Sequence, residues 1–204
     1  MKPSISLAFE IKQHAPFTAL ATFLAIVTVI AVKYSLQIPI ADHAFHIMHP
    51  IHVIVSAITS AGIFYKYRPK IVLSLVVGII SAILIGSLSD IILPYLGATV
   101  FQMHPHFHLP IIENTVLITG AALLGSIIGI STKRTKVPHF LHVGISIFAS
   151  LFYILAYTDG VSFFIFMIAV LIVFLAVLIP CCISDILLPV FFLNTQPSEE
   201  HTEH

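Results

Sequence analysis

The 204 residues contain no tryptophan, only two cysteines, and charged side chains at just 9%. That scarcity of charge excludes an ordinary soluble domain, in which about a quarter of residues are charged. Nine Lys and Arg offset nine Asp and Glu, so there is no basic surplus to hold a phosphate backbone, and nucleic-acid binding is excluded as a main activity. Cys181 and Cys182 are neighbours in the chain and cannot easily bridge each other, so there is no disulfide framework and no compartment can be read from them. Neither a His-Glu-x-x-His sequence nor a His-His dipeptide occurs.

What is present is apolar: 58% of the chain is hydrophobic and the mean hydropathy is +1.07. A bilayer core of about 30 Å needs roughly 20 apolar residues per helix. Six stretches meet this, near 16–36, 50–66, 70–93, 110–130, 138–157 and 161–180, the last able to continue past Pro180 to about 192. Two polar excursions, 37–49 and 94–109, separate them. Lipid leaves no partner for unpaired backbone, so helix is the expected state of every span. Lys2, Lys12, Lys66, Arg68, Lys70, Lys133, Arg134 and Lys136 fall on one side of this arrangement and Lys33 on the other. The positive-inside rule makes the first side cytoplasmic, with both termini inside, and the first span reads as an uncleaved helix, not a signal peptide.

The chain repeats itself. His49-Pro50-Ile51-His52-Val53-Ile54-Val55-Ser56 followed by Ser60 matches His139-Phe140-Leu141-His142-Val143-Gly144-Ile145-Ser146 followed by Ser150. Ser89-Asp90-Ile91-Ile92-Leu93-Pro94 matches Ser184-Asp185-Ile186-Leu187-Leu188-Pro189, and His14-Ala15-Pro16 matches His108-Leu109-Pro110 more weakly. Three spans per copy reverse the second copy in the membrane, the inverted-repeat plan common among secondary transporters. The expected fold class is an all-α polytopic membrane protein: six transmembrane helices as two inverted three-helix repeats, 1–97 and 98–193, with a disordered His/Glu tail at 194–204.

Twelve histidines remain to be placed. His52, Ser56 and Ser60 share one helix face, as do His142, Ser146 and Ser150, and the four serines are expected to line a transport path. In this arrangement His52 lies toward the outer face and His142 toward the inner. Asp90 ends the third span, where a carboxylate costs up to about 2.5–3.5 kcal/mol and calls for partners. Gly78, Ala82 and Gly86 precede it at four-residue steps and turn it toward neighbouring helices. The expected outer cluster is His49, His52, Asp90, His104, His106, His108 and Glu113, with His43, His46 and Asn114 nearby. The inner one is His139, His142 and Asp185, with His14, Cys181 and Cys182 nearby. Imidazole plus carboxylate is a ligand set for a divalent transition metal, zinc first, with Mn, Fe, Co and Ni acceptable.

The function read from this is transport of a divalent transition-metal ion between mirrored His/Asp sites, with no catalytic residue and with proton coupling through His and Asp. The alternative is an integral-membrane metalloenzyme with an extracytoplasmic His/Asp/Glu site and Glu113 as its acid or base. A b-type haem shared by His52 and His142 is disfavoured by their placement toward opposite faces. The expected partners are the lipid bilayer, the metal ion and a second copy of the chain. Ala121, Gly125 and Gly129 mark close helix packing, within the protomer or across that dimer.

Overall fold

The computed structural model describes residues 16, 19–28, 30, 41–132, 139–158 and 162–194, with backbone alone at 139–141, 163, 179 and 181–194. His14, Lys2, Lys12, Lys33, the 133–136 basic cluster and the 195–204 tail lie outside the described residues. So do the side chains of His139, Cys181, Cys182 and Asp185.

The described chain is helical, with no strand among the described residues. Its elements are α1 (Ala19–Thr28), α2 (Ala41–Tyr67), α3 (Ile71–Ser87), a π-helical turn (Leu88–Ile92), α4 (Leu93–Val100), α5 (Pro110–Glu113), α6 (Thr115–Thr132), α7 (His139–Tyr157) and α8 (Phe163–Asn194). Three helices are long and apolar enough to cross a membrane: Ala41–Tyr67, the continuous run Ile71–Val100, and Thr115–Thr132. Their outer surface suits lipid, with Val72 75% and Val116 88% exposed, while Ser56, Ser60, Ser74, Ser81 and Ser126 are buried.

Small residues set how these helices approach. A methyl group on Gly125 would strike the Ile54 carbonyl, and one on Gly129 the Ile58 carbonyl, so α6 lies directly on the α2 backbone and runs in the same direction. The GxxxG step is therefore used inside the protomer. Gly78 faces Ala61 and Gly86 faces Val53 and His49, so α3 returns antiparallel to α2. The short 68–70 turn joins them, closed by Arg68 N–H donating to the Phe64 carbonyl at 2.8 Å. Helix α7 is also antiparallel to α2: Tyr157 meets Asp42 near one end and His142 meets His52 further along.

Three boundaries differ from those expected of the sequence. Helix α2 starts at Ala41 and continues through Pro50, because Phe45 and His49 of the expected polar excursion extend the buried face of His52, Ser56 and Ser60 at three- to four-residue spacing. The third span continues past 93 to Val100 through the π turn. The fourth is interrupted at Asn114, where Asn114 N–H closes α5 on the Pro110 carbonyl at 2.7 Å and the Thr115 hydroxyl takes the Ile111 carbonyl at 2.7 Å.

Candidate ion site in the helix bundle

The π turn has a local cause. In an α-helix the nitrogen of residue 94 would donate to the Asp90 carbonyl, but Pro94 has no hydrogen to give. The helix widens instead, with Leu93 N–H reaching back to Leu88 O. In that widened register the Ser89 carbonyl would also look to residue 94; the Ser150 hydroxyl of α7, which donates to the Ser146 carbonyl at 2.7 Å, reaches it as a second, longer acceptor at 3.2 Å. The turn thus ties α3 to α7 and presents Ser89 and Asp90 to the bundle interior; single π turns of this kind recur at functional sites.

Asp90 is completely buried and well supplied with donors. Its Oδ2 accepts from His49 Nδ1 at 2.9 Å and His52 Nδ1 at 2.8 Å. Its Oδ1 accepts from Ser146 Oγ at 2.7 Å, and Ser89 Oγ lies 2.9 Å from the same oxygen. With Asp90 as a carboxylate acceptor, both Nδ1 atoms carry protons, and a neutral ring so held presents a lone pair at Nε2. The Nε2 of His52 lies 2.9 Å from Nε2 of His142. His49 Nε2 is buried with no partner. His49, His52, His142, Ser146 and Ser150 are all buried.

This corrects the expectation that His52 and His142 stand toward opposite faces. Because α2 begins nine residues before Pro50, His52 lies about 16 Å into the helix at 1.5 Å per residue, in the middle of the bundle. Asp90 is placed less as a ligand than as the group that aims the two rings of α2. Among the described residues, no group of three or more His, Cys, Asp or Glu side chains is placed to hold a metal ion. Two imidazole nitrogens converge, one from each copy of the repeated motif.

A second polar cluster lies at the end of the bundle where α2 begins. His108 Nδ1 pairs with Glu113 Oε1 at 2.8 Å, and the His108 ring stacks on Tyr157 with centroids 4.6 Å apart. The Tyr157 hydroxyl donates to Asp42 Oδ1 at 2.9 Å, and His46 Nδ1 donates to the Asp42 carbonyl at 2.9 Å. Burial pushes the His108 imidazole below its ordinary value, against the opposing pull of Glu113. Phe45, fully buried, meets the rings of His46, His108, Tyr153 and Tyr157 edge-on and stacks on His49 at 5.6 Å, so it touches both clusters.

The remaining expected residues divide. His104 and His106 are exposed on the 101–109 loop, away from the buried cluster, with His104 at a φ of 50° and His106 N–H held by the Tyr157 carbonyl at 2.7 Å. Ser56 and Ser60 are buried on the α2 face below His52. His139 and Asp185 lie on helical backbone, their side chains outside the described residues. Ser89, Asp42, Phe45, Tyr153 and Tyr157 were not among the expected site residues. The repeated Ser-Asp pair was the available signal for Ser89, and Asp42 four residues before His46 the one for Asp42. Compared with protein families, curated proteins and solved structures, the chain finds no match.

Proposed function

We propose that this chain is a membrane transporter of a divalent transition-metal ion, zinc first, whose cargo passes between His52 and His142 at the centre of the bundle. One observation carries the reading: two Nε2 atoms from matching motif positions lie 2.9 Å apart in an apolar bundle, with the other nitrogen of His52 fixed on a buried carboxylate. A carboxylate behind a histidine is the usual support of a metal-binding imidazole. Two tetrahedral zinc ligands at about 2.0–2.1 Å are roughly 3.3 Å apart, a few tenths of an ångström wider than this pair. In the closed pair His142 Nε2 donates to the lone pair of His52 Nε2; an ion would replace that proton. Two protein nitrogens are few for a resident metal and suited to cargo that must also leave.

The finer architecture belongs to the same proposal. Six spans in two inverted copies account for why α2 and α7, which carry the matching His-Ser-Ser stripes, run antiparallel and cross where those motifs meet. Both termini are then cytoplasmic, and the cluster around His108 and Glu113 faces outward.

A second reading is favoured by the continuous hydrogen-bonded series His49, Asp90, His52, His142, which is the form of an intramembrane proton relay. One experiment separates the two. Protein reconstituted in liposomes with an internal zinc dye and an internal pH dye is expected to admit Zn²⁺, and His52→Ala and His142→Ala are each expected to abolish that flux. Proton flux unaffected by Zn²⁺, with no zinc entering, would replace the metal reading with the relay.

A further inference from the structure

Charge is separated along the bundle. Lys66, Arg68 and Lys70 are the only Lys and Arg among the described residues, and they fall within five positions where α2 turns into α3. The exposed carboxylates among the described residues, Asp42 and Glu113, lie at the other end, in the cluster around His108 and Tyr157. Asp42 and Lys66 stand 24 residues apart on α2, a rise of about 36 Å, against roughly 30 Å for the hydrocarbon core of a bilayer. No acidic residue occupies the first turn of α3, so that turn adds nothing to offset the lysines beside it.

The side chains around the turn follow the layers of a membrane surface. Ile71 and Val72, on the first turn of α3, are 57% and 75% exposed. Tyr67 is 63% exposed, with Lys66 Nζ 5.9 Å from its ring centroid, and Lys66 and Lys70 are exposed beside it. Aliphatic, aromatic and cationic groups in that order match hydrocarbon, interface and headgroup. A free anion would use only the lysines, whereas an amphiphile uses the whole surface. We infer that the 66–70 turn binds the phosphate of an anionic lipid, with Lys66 and Lys70 on the headgroup, Arg68 adding to the positive field, and Ile71 and Val72 against the acyl chains. Each Lys or Arg close to an anionic surface strengthens binding about fivefold. The inference needs the helices to span a bilayer and does not depend on the metal cargo.

The chain has no tryptophan, so one substitution supplies a single fluorophore. Tyr67→Trp places it at the turn, and Val116→Trp places it at an 88% exposed position at the start of α6, beside the acidic end. The full chain is reconstituted in phosphatidylcholine with either brominated phosphatidylglycerol or brominated phosphatidylcholine, and the ratio of quenching gives the relative affinity for the anionic lipid. Tyr67→Trp is expected to favour phosphatidylglycerol at least about fivefold, and Val116→Trp to show no preference. Adding Lys66→Gln and Lys70→Gln, which keep polar side chains and remove the charge, is expected to bring the Tyr67→Trp ratio to parity. Excess inorganic phosphate at constant ionic strength is expected to leave that ratio unchanged. Equal quenching by the two lipids in Tyr67→Trp, a preference that survives the two glutamines, or the same preference at both ends would overturn the inference. Loss of the preference to inorganic phosphate would make the turn a site for free anions and overturn the lipid as its partner. Quenching of neither fluorophore by either lipid would mean that the helices are not in the bilayer, and the membrane reading itself would fail.

Discussion

His52 and His142 touch through their Nε2 atoms at 2.9 Å, although 90 residues separate them and each opens its own copy of the same stripe. The contact depends on Asp90, which fixes the orientation of the His52 ring from behind. Asp90→Asn keeps the shape of the side chain but turns one oxygen into an NH₂ donor facing donors. The variant is expected to lose about 2–4 kcal/mol of stability, the range for a buried charged group and its hydrogen bonds left unmatched. Thermal unfolding in detergent checks this, and Zn²⁺ flux is expected to fall at least tenfold in the same variant. A melting temperature and a flux both equal to wild type would show that Asp90 does not position the ring.

The glycines of α6 offer a contrast within one helix. Gly125 and Gly129 meet the backbone of α2 at Ile54 and Ile58, whereas Gly120 has nothing within 4 Å of where a methyl would stand. Gly125→Ala and Gly129→Ala are each expected to cost about 1–3 kcal/mol, because backbone cannot give way as a side-chain tip can. Gly120→Ala is expected to be neutral or to stabilise by up to about 1 kcal/mol through helix propensity. Denaturant or thermal titration of the three variants side by side measures the ordering. Equal effects at 120 and 125 would mean that α6 does not rest on α2 through this face.

These contacts show what could be read in advance and what could not. The all-helical class was legible because long apolar runs with little charge leave no other option in lipid. The His-Ser-Ser stripes were legible because buried polar side chains at four-residue spacing declare a helix face. The start of α2 was not. Counting His43, His46 and His49 as polar put them in a loop, yet His49 is wholly buried and its neighbour Phe45 anchors the same face. That misplaced start is what set His52 near a membrane surface and apart from His142. Nor could the pairing of Tyr157 with Asp42 be read, since it joins residues 115 apart and depends on how two helices cross. The π turn had a visible trace in Pro94, but a proline signals a disturbance without saying whether the helix kinks, ends or widens.

That turn can be tested directly. Pro94→Ala returns an N–H that an α-helix would direct to the Asp90 carbonyl, and removes the penalty of proline in a helix interior, about 3 kcal/mol. The turn is expected to relax toward α geometry, rotating residues on one side by about 100° relative to the other. Asp90 would then swing from His49 and His52, and the Ser150 hydroxyl would lose the Ser89 carbonyl. The expected signature is a Zn²⁺ flux lowered about tenfold while the melting temperature holds or rises. Wild-type flux in a variant whose structure shows an unbroken α-helix through 88–94 would remove the turn from the mechanism.

The cluster around His108 and Glu113 carries a pH dependence whose sign follows from His108. Burial holds its imidazole below the ordinary value of about 6.5, with Glu113 opposing. As pH falls through 6.5 the unfolded chain takes up a proton at this position before the folded chain does. The unfolded state then binds more protons, so the contribution of His108 to stability is intact above about pH 6.5 and declines as pH drops toward the folded value. His108→Gln, which keeps a polar side chain of similar reach but does not titrate, is expected to lose less melting temperature than wild type between pH 7.5 and pH 5.5. If the variant loses more, then Glu113 dominates, the imidazole sits above its ordinary value when folded, and the pair with Glu113 strengthens on acidification.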